Sequence, residues 1–82
     1  MSIIGGPVET IEEAREAATR YPHDYTIRTE AVELQGSAKP GKLWAAYVAE
    51  LSNGDTYRAP FSMEALPATR AVALARRLRA QA

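Results

Sequence analysis

The segment LWAAYVAELSNGDTYRAPF, residues 43–61, decides the fold that the sequence predicts. Two runs of aromatic and small apolar residues flank the pair Asn53-Gly54. A two-residue type I′ turn requires a positive φ at both of its central residues, and Asn-Gly is a pair that meets this requirement readily. We therefore expect residues 43–61 to form a β-hairpin that turns at Asn53-Gly54.

The length of this turn determines which residues face each other across the hairpin. With a two-residue turn, Val48 lies opposite Ala59, and Ala46 lies opposite Phe61. The face with the larger apolar volume is expected to be the core face, and it contains Trp44, Ala46, Val48, Tyr57 and Phe61. The opposite face is expected to stay open, and it contains Leu43, Tyr47, Leu51 and Arg58.

A helix and a strand are predicted before the hairpin. Thr10 and Glu13 have the spacing of a capping box, so the helix is expected to begin at Thr10. Pro22 ends it near Arg20, because a proline biases the residue before it away from helical geometry. Residues 24–34 then alternate between apolar and polar side chains, which is typical of a half-buried strand.

A second helix is predicted after the hairpin. Pro67 suits the first helical position, where its missing N–H costs nothing. From there apolar residues recur at helical spacing, at Ala71, Leu74, Ala75 and Leu78. The expected fold class is α+β, in the order α-β-β-β-α, with a three-stranded antiparallel sheet and both helices packed on one face.

The chain of 82 residues is expected to form one domain with a short extension. Residues 1–8 are expected to be a flexible N-terminal arm, because Gly5-Gly6-Pro7 interrupts regular structure. Residues 9–82 are then expected to form a single α+β domain.

The amino-acid composition indicates the cellular compartment in which we expect the protein. The chain contains no cysteine, which excludes disulfides and thiolate metal sites. No apolar run approaches the roughly 20 residues of a membrane-spanning helix, and residues 1–7 lack the basic and apolar regions of a signal peptide. We therefore expect a cytoplasmic protein without a membrane partner.

The formal net charge of zero hides an uneven distribution. Residues 1–41 hold seven acidic and four basic side chains, whereas residues 42–82 hold three acidic and six basic ones. The two parts therefore carry net charges of −3 and +3. Depending on how they fold together, this asymmetry gives either a two-sided molecule or surface ion pairs that compensate each other.

No set of residues in the sequence indicates catalysis. Residues 36–42 match the spacing of a phosphate-binding loop, but Leu43 stands where that motif has Ser or Thr, and a strand is expected after it where the motif needs a helix. His23 is the single histidine, and a metal site or a nucleophile–base pair needs partners that this chain lacks. We therefore expect no catalytic site, no metal site, no cofactor and no enzymatic activity.

Two surfaces are candidates for binding another molecule. The open sheet face, with Leu43, Tyr47, Leu51 and Arg58, has the composition of a protein interface, and the acidic first helix offers Glu12 and Glu16. A homodimer that covers the open face with a second copy is a further option. The alternative is nucleic-acid binding through basic side chains, for which the candidates are Lys39, Lys42, Arg70 and Arg77.

The predicted element order resembles that of the double-stranded RNA-binding domain. This resemblance implies recognition of A-form RNA by the first helix, by the loop between the first two strands and by lysines at the start of the last helix. Here that start is residues 62–67, which contain Glu64 and no lysine, and the first helix is acidic. Residues 57–62 and the helix after them are also similar to the arm-binding domains of phage integrases, which insert a sheet into a DNA groove.

In size, layout and lack of an active-site pattern, the chain also resembles the small inhibitors of phages and mobile elements, such as anti-CRISPR proteins. That resemblance implies a stoichiometric inhibitor that occupies the surface of a partner protein or of a protein–nucleic-acid complex. The sequence therefore predicts a non-enzymatic protein-binding module, with a small nucleic-acid-binding domain as the alternative.

Overall fold

The computed structural model describes residues 2–34, 40–62 and 64–81. In these residues the elements are β1 (Ser2–Ile4), α1 (Ile11–Ala18), β2 (Tyr25–Val32), β3 (Lys42–Leu51), β4 (Thr56–Pro60), β5 (Leu66–Pro67) and α2 (Ala68–Gln81). The sheet has the order β1-β4-β3-β2, and β5 pairs with the start of β3. Because β1 runs parallel to β4 and the other pairs are antiparallel, the fold is a small α+β structure with a mixed sheet.

The α+β class, the two helices and the three central antiparallel strands agree with the sequence-based prediction. The three-stranded sheet was wrong, because β1 and β5 add two short strands. β1 precedes Gly5-Gly6-Pro7, within the residues expected to form a flexible arm, and β5 contains Pro67, which the sequence predicts as the first residue of the helix. Ser2–Ile4 is thus hydrogen-bonded to the sheet, whereas the flexibility expected for residues 1–8 stays a prediction.

The central hairpin turns through three residues, so the prediction of a two-residue turn was wrong. Gly54 N donates to Leu51 O at 3.0 Å, and Leu51 N donates to Asp55 O at 2.8 Å. Gly54 has a φ of +94°, whereas no described residue other than glycine has a positive φ. A type I turn followed by a glycine bulge has this pattern. Asn53 keeps a negative φ, and its side-chain oxygen accepts a hydrogen bond from Asp55 N at 3.0 Å.

The extra turn residue shifts the register by one position. Val48 now faces Arg58, and Ala46 faces Pro60. Since side chains alternate along a strand, a one-residue shift on one strand changes which residues share a face with its neighbour.

The core lies on the face that was predicted to be open. Ala45, Tyr47 and Ala49 of β3 pack with side chains of both helices, which therefore cover the same face of the sheet. Their contacts from the helices are Ala14 and Ala18 of α1 and Ala75 and Leu78 of α2. Tyr47 and Leu51 are each only 3% exposed. The predicted core residues Trp44, Ala46 and Val48 lie instead in a second apolar cluster on the opposite face.

Two predicted core residues, Tyr57 and Phe61, do belong to the core under the helices. Tyr57 is buried and its ring lies 5.8 Å from that of Tyr21, centroid to centroid. Phe61 packs edge-on against Tyr47, with 6.4 Å between ring centroids. The corrected register puts Tyr57 opposite Ala49, so the small alanine leaves room for this aromatic pair.

Polar contacts fix α2 to the outer edge of β2. The buried Thr29 hydroxyl donates to Ala75 O at 2.8 Å. Arg79 Nη2 donates to Thr29 O at 3.0 Å. Because Thr29 N and O point away from β3 in this register, α2 covers part of the strand edge that has no neighbouring strand.

Gly5 is expected to be sensitive to substitution, whereas Gly6 is expected to tolerate it. A Cβ on Gly5 would overlap the hydroxyl oxygen of Tyr57, but a Cβ on Gly6 would meet no atom within 4 Å. Gly5→Ala must move the Tyr57 ring and should lower the free energy of unfolding by about 1–3 kcal/mol. Gly6→Ala is the matched control, with an expected change of less than about 1 kcal/mol. Urea unfolding of the two variants measures the difference, and equal stabilities would contradict this packing.

Gly54→Ala is expected to destabilise the hairpin, because alanine is strained at a φ of +94°. A cost of about 1–2 kcal/mol follows from the left-handed backbone. Ser52→Ala changes an exposed residue of the same loop and should alter stability by less than about 0.5 kcal/mol. Thermal and urea unfolding give both values. A Gly54→Ala variant as stable as Ser52→Ala would rule out the three-residue turn.

Candidate functional site

The side of the sheet opposite α1 and α2, here called the helix-free face, carries a row of side chains from four strands. Ile4 of β1 lies opposite Arg58 of β4, Arg58 lies opposite Val48 of β3, and Val48 lies opposite Arg28 of β2. Residues directly opposite each other in neighbouring strands project to the same side. The row therefore reads Ile4, Arg58, Val48, Arg28 across the sheet.

An apolar cluster forms the floor of the helix-free face. Val32, Leu34, Ala46 and Val48 are buried there, and Trp44 packs against them while remaining partly exposed. Ile4 stands at the edge of this face with 43% of its surface exposed. The face thus presents a tryptophan and an isoleucine to solvent above a close-packed base.

Arg28 is neutralised by carboxylates of its own face. Its Nη1 lies 3.2 Å from Glu50 Oε2, and its Nε lies 3.4 Å from Glu30 Oε2. These side chains are about half exposed, so water screens both ion pairs and each contributes little to stability. Their main effect is that Arg28 offers a partner no free positive charge, since the group of Arg28, Glu30 and Glu50 has an excess of negative charge.

Arg58 differs from Arg28 because no carboxylate within the described ranges forms an ion pair with it. Its Nε is buried and has no hydrogen-bond partner there. A buried N–H without a partner costs about 1–3 kcal/mol. Arg58 is therefore the uncompensated cation of the helix-free face, and it lies between the exposed Ile4 and the buried Val48.

The structure separates the residues that were predicted to form one docking surface. Arg58 lies on the face without helices, as expected. Tyr47 and Leu51 are buried under the helices, and Leu43 is half-buried opposite Leu66 of β5. Because the hairpin register is shifted by one residue, the prediction that these three side chains share an open face with Arg58 was wrong.

Sequence reasoning did not place Ile4 or Arg28 on this face, and it wrongly placed Trp44 in the core under the helices. The alternation of β2 already put Arg28 on the side opposite Ile27, and only the face of the neighbouring strand was missing. Ile4 gave no such signal, since its strand pairs with residues more than fifty positions away.

The remaining candidates lie on α1, on α2 and at the start of β3. Glu12 and Glu16 are exposed on α1, and Arg70 and Arg77 are exposed on α2. Lys42 is half-buried opposite Pro67, next to the first turn of α2. These groups lie on other parts of the molecule than Arg58, and the remaining nucleic-acid candidate, Lys39, lies outside the described residues.

In the structure, the uneven charge of the sequence appears as a difference in charge between the two helices. The acidic side chains of α1 are Glu12, Glu13 and Glu16, whereas α2 contains four arginines and no acidic residue. Where the chain is described, no ion pair joins one helix to the other. The compensating pairs occur instead within the sheet, around Arg28.

Two tyrosines in the core have shifted ionisation. Burial raises the pKa of Tyr47, and the carboxylates of Glu12 and Glu13 raise this pKa further. Burial also raises the pKa of Tyr57, with a smaller contribution from Tyr21. Both shifts move the pKa of the phenol further above neutral pH, so neither group is suited to acid–base catalysis at neutral pH.

A shallow cleft of about 540 Å³ lies beside the start of α1, lined by Pro7, Val8, Glu9, Thr10 and Phe61. Its hydroxyl group, that of Thr10, accepts a hydrogen bond from Glu13 N and so caps the helix. Glu9 supplies a carboxylate to the lining of this cleft. The backbone N–H of Glu9 donates to the Glu13 side chain. The Thr10 hydroxyl and the Glu9 N–H thus take part in capping the helix.

In the described part of the chain, no three His, Cys, Asp or Glu side chains come together as a metal site. Neither described helix is long and apolar enough to cross a membrane. No model of a known protein family matches the chain, and neither does any curated protein or solved structure.

Tyr47 is expected to make the fold sensitive to alkali. Its pKa is higher in the folded chain than the ordinary value of 10.0, so above that pH the unfolded chain loses the proton first and the free energy of unfolding falls. Tyr47→Phe should therefore reduce the loss of stability between about pH 9 and pH 11. Glu12→Gln, which removes one of the carboxylates that raise this pKa, should reduce the loss less. Urea unfolding across this range measures it, and an unchanged slope in Tyr47→Phe would contradict the assignment.

Proposed function

We propose that this protein is a non-enzymatic protein-binding module that docks through its helix-free face. The observation that carries the proposal is Arg58, a cation without an ion-pair partner in the described chain, next to the exposed side chain of Ile4. Trp44 adds a partly exposed aromatic ring on the same face. Arginine and tryptophan are enriched among the residues that dominate the binding energy of protein interfaces.

The unpaired charge of Arg58 favours a partner that places an acidic side chain and an apolar side chain on this part of the face. Arg28 already has two carboxylates, whereas Arg58 has none in the described chain. A partner carboxylate is therefore drawn to Arg58, where it would form a charge-assisted hydrogen bond. An apolar side chain beside that carboxylate would cover Ile4 and remove its surface from water.

Occupying a surface is sufficient for a stoichiometric inhibitor. The helix-free face lies on a closely packed apolar cluster, and a partner surface covered by this face is no longer accessible to other molecules. This supports the inhibitor role that the resemblance to anti-CRISPR proteins implies. A chain without cysteine also suits the reducing cytoplasm, where we place its action.

The proposal predicts that changes at Ile4 and Arg58 abolish partner binding. The immobilised protein is exposed to a nuclease-treated cell lysate, and each retained protein is then purified and its Kd is measured. Ile4→Glu and Arg58→Gln should each weaken binding about tenfold or more, since removing such a contact costs more than about 1.4 kcal/mol.

Each variant has a matched control in α2. Val72→Glu places the same charge on a side chain that is 38% exposed, compared with 43% for Ile4. Arg77→Gln removes the same charge as Arg58→Gln from an exposed position. Both controls should bind as the wild type does, and equal loss in the controls would overturn the proposal. Light scattering adds a second check: a homodimer dissociated by Ile4→Glu would make a second copy the occupant and exclude a foreign partner.

A further inference from the structure

The charged side chains of α2 are all basic. Arg70, Arg76 and Arg77 are exposed, and the helix contains no acidic residue that could pair with them at one-turn spacing. Arg70 and Arg77 are seven residues apart, which separates them by about 10 Å along the helix axis. Arg70, Arg76 and Arg77 are here called the arginine ridge.

The arginine ridge carries charge that the rest of the described chain does not neutralise. None of its three members takes part in an ion pair there. The fourth arginine of the helix, Arg79, is used differently, because its Nη2 donates to Thr29 O and so holds the helix against β2. The ridge is therefore mounted on a helix whose position is fixed.

A fifth cation lies beside the first turn of α2. Lys42 pairs with Pro67 across β3 and β5. The next residue, Ala68, donates its N–H to Gly41 O at 2.8 Å, which ties the start of the helix to the start of β3. Strand pairing thus places Lys42 at the N-terminal end of the ridge.

We propose that the arginine ridge, extended by Lys42, binds the phosphate backbone of a nucleic-acid duplex. Guanidinium groups match phosphate oxygens in geometry and charge. A row of such groups without local carboxylates gains affinity by releasing the counterions of the duplex. This site is independent of the helix-free face, since α2 lies on the other side of the sheet.

The side chains between the arginines favour a duplex over a single strand. Apart from its arginines, the exposed residues of α2 with described side chains are Thr69, Val72, Ala73 and Ala80. Proteins that bind single strands stack the bases on aromatic rings, and these positions hold none. None of them offers an amide or a carboxylate for reading base edges, so we expect contacts between the arginines and phosphates to dominate the binding.

The acidic helix α1 sets the direction from which a duplex can approach. Its carboxylates lie in the same helical layer, so they repel phosphates from that half of the layer. The two helices together orient an approaching polyanion towards α2. A partner protein on the helix-free face would then be held on the opposite side of the sheet from the nucleic acid.

Binding of labelled duplex DNA and duplex RNA, each of about 20 base pairs, tests the proposal. Fluorescence anisotropy is measured between about 20 and 200 mM salt. With three or four phosphate contacts, the slope of log K against the logarithm of the salt concentration should be about −3. Arg70→Gln/Arg77→Gln should reduce this slope by about 2 and weaken binding about tenfold or more at the lowest salt.

The matched control is Arg15→Gln/Arg20→Gln, which removes the same charge from exposed positions at α1 and just after it. It should retain the wild-type slope, and equal loss in both variants would overturn a localised site. No binding of either duplex at the lowest salt would also overturn the proposal. Binding to vesicles of phosphatidylcholine with about one third phosphatidylserine, and to neither duplex, would overturn the proposal as well. A preference for one of the two duplexes identifies which polymer supplies the phosphates, and either preference supports the proposal.

Discussion

The central hairpin has a loop of three residues because Gly54 has a positive φ while Asn53 keeps a negative one. The loop length sets the register of β3 against β4, and the register decides which side chains share a face. Tyr47 is consequently under the helices, whereas Arg58 is on the opposite side of the sheet. The separation of the core from the helix-free face therefore depends on the backbone conformation of Asn53 and Gly54.

Local chemistry allowed much of the fold to be predicted. Thr10 caps α1 as its spacing with Glu13 indicated, and the hairpin and α2 lie where their patterns placed them. The turn type was the part that local chemistry left undecided. Asn-Gly is compatible with turns of two or three residues. The three-residue turn forms here, since the Asn53 side chain accepts a hydrogen bond from Asp55 N and Asn53 keeps a negative φ.

Strands that pair over long sequence distances could not be predicted. β1 contains three residues and gains its hydrogen bonds from β4, so nothing in Ser2–Ile4 alone indicates a strand. The candidate site depends on this pairing, since it brings Ile4 next to Arg58. The sequence indicated that Arg58 would be accessible, but its neighbours follow from the shifted register and from a strand that only tertiary contacts define.

The contacts of Arg79 and Ala75 with Thr29 have a consequence for crowded solutions. A bare strand edge is a template on which other chains can add strands and grow into fibrils. Here one margin of the sheet is a strand of three residues, and the other is partly covered by a helix bearing a fixed positive charge. Both edges of the sheet are thus protected against pairing with strands of other molecules, which lowers the tendency to aggregate at high protein concentration.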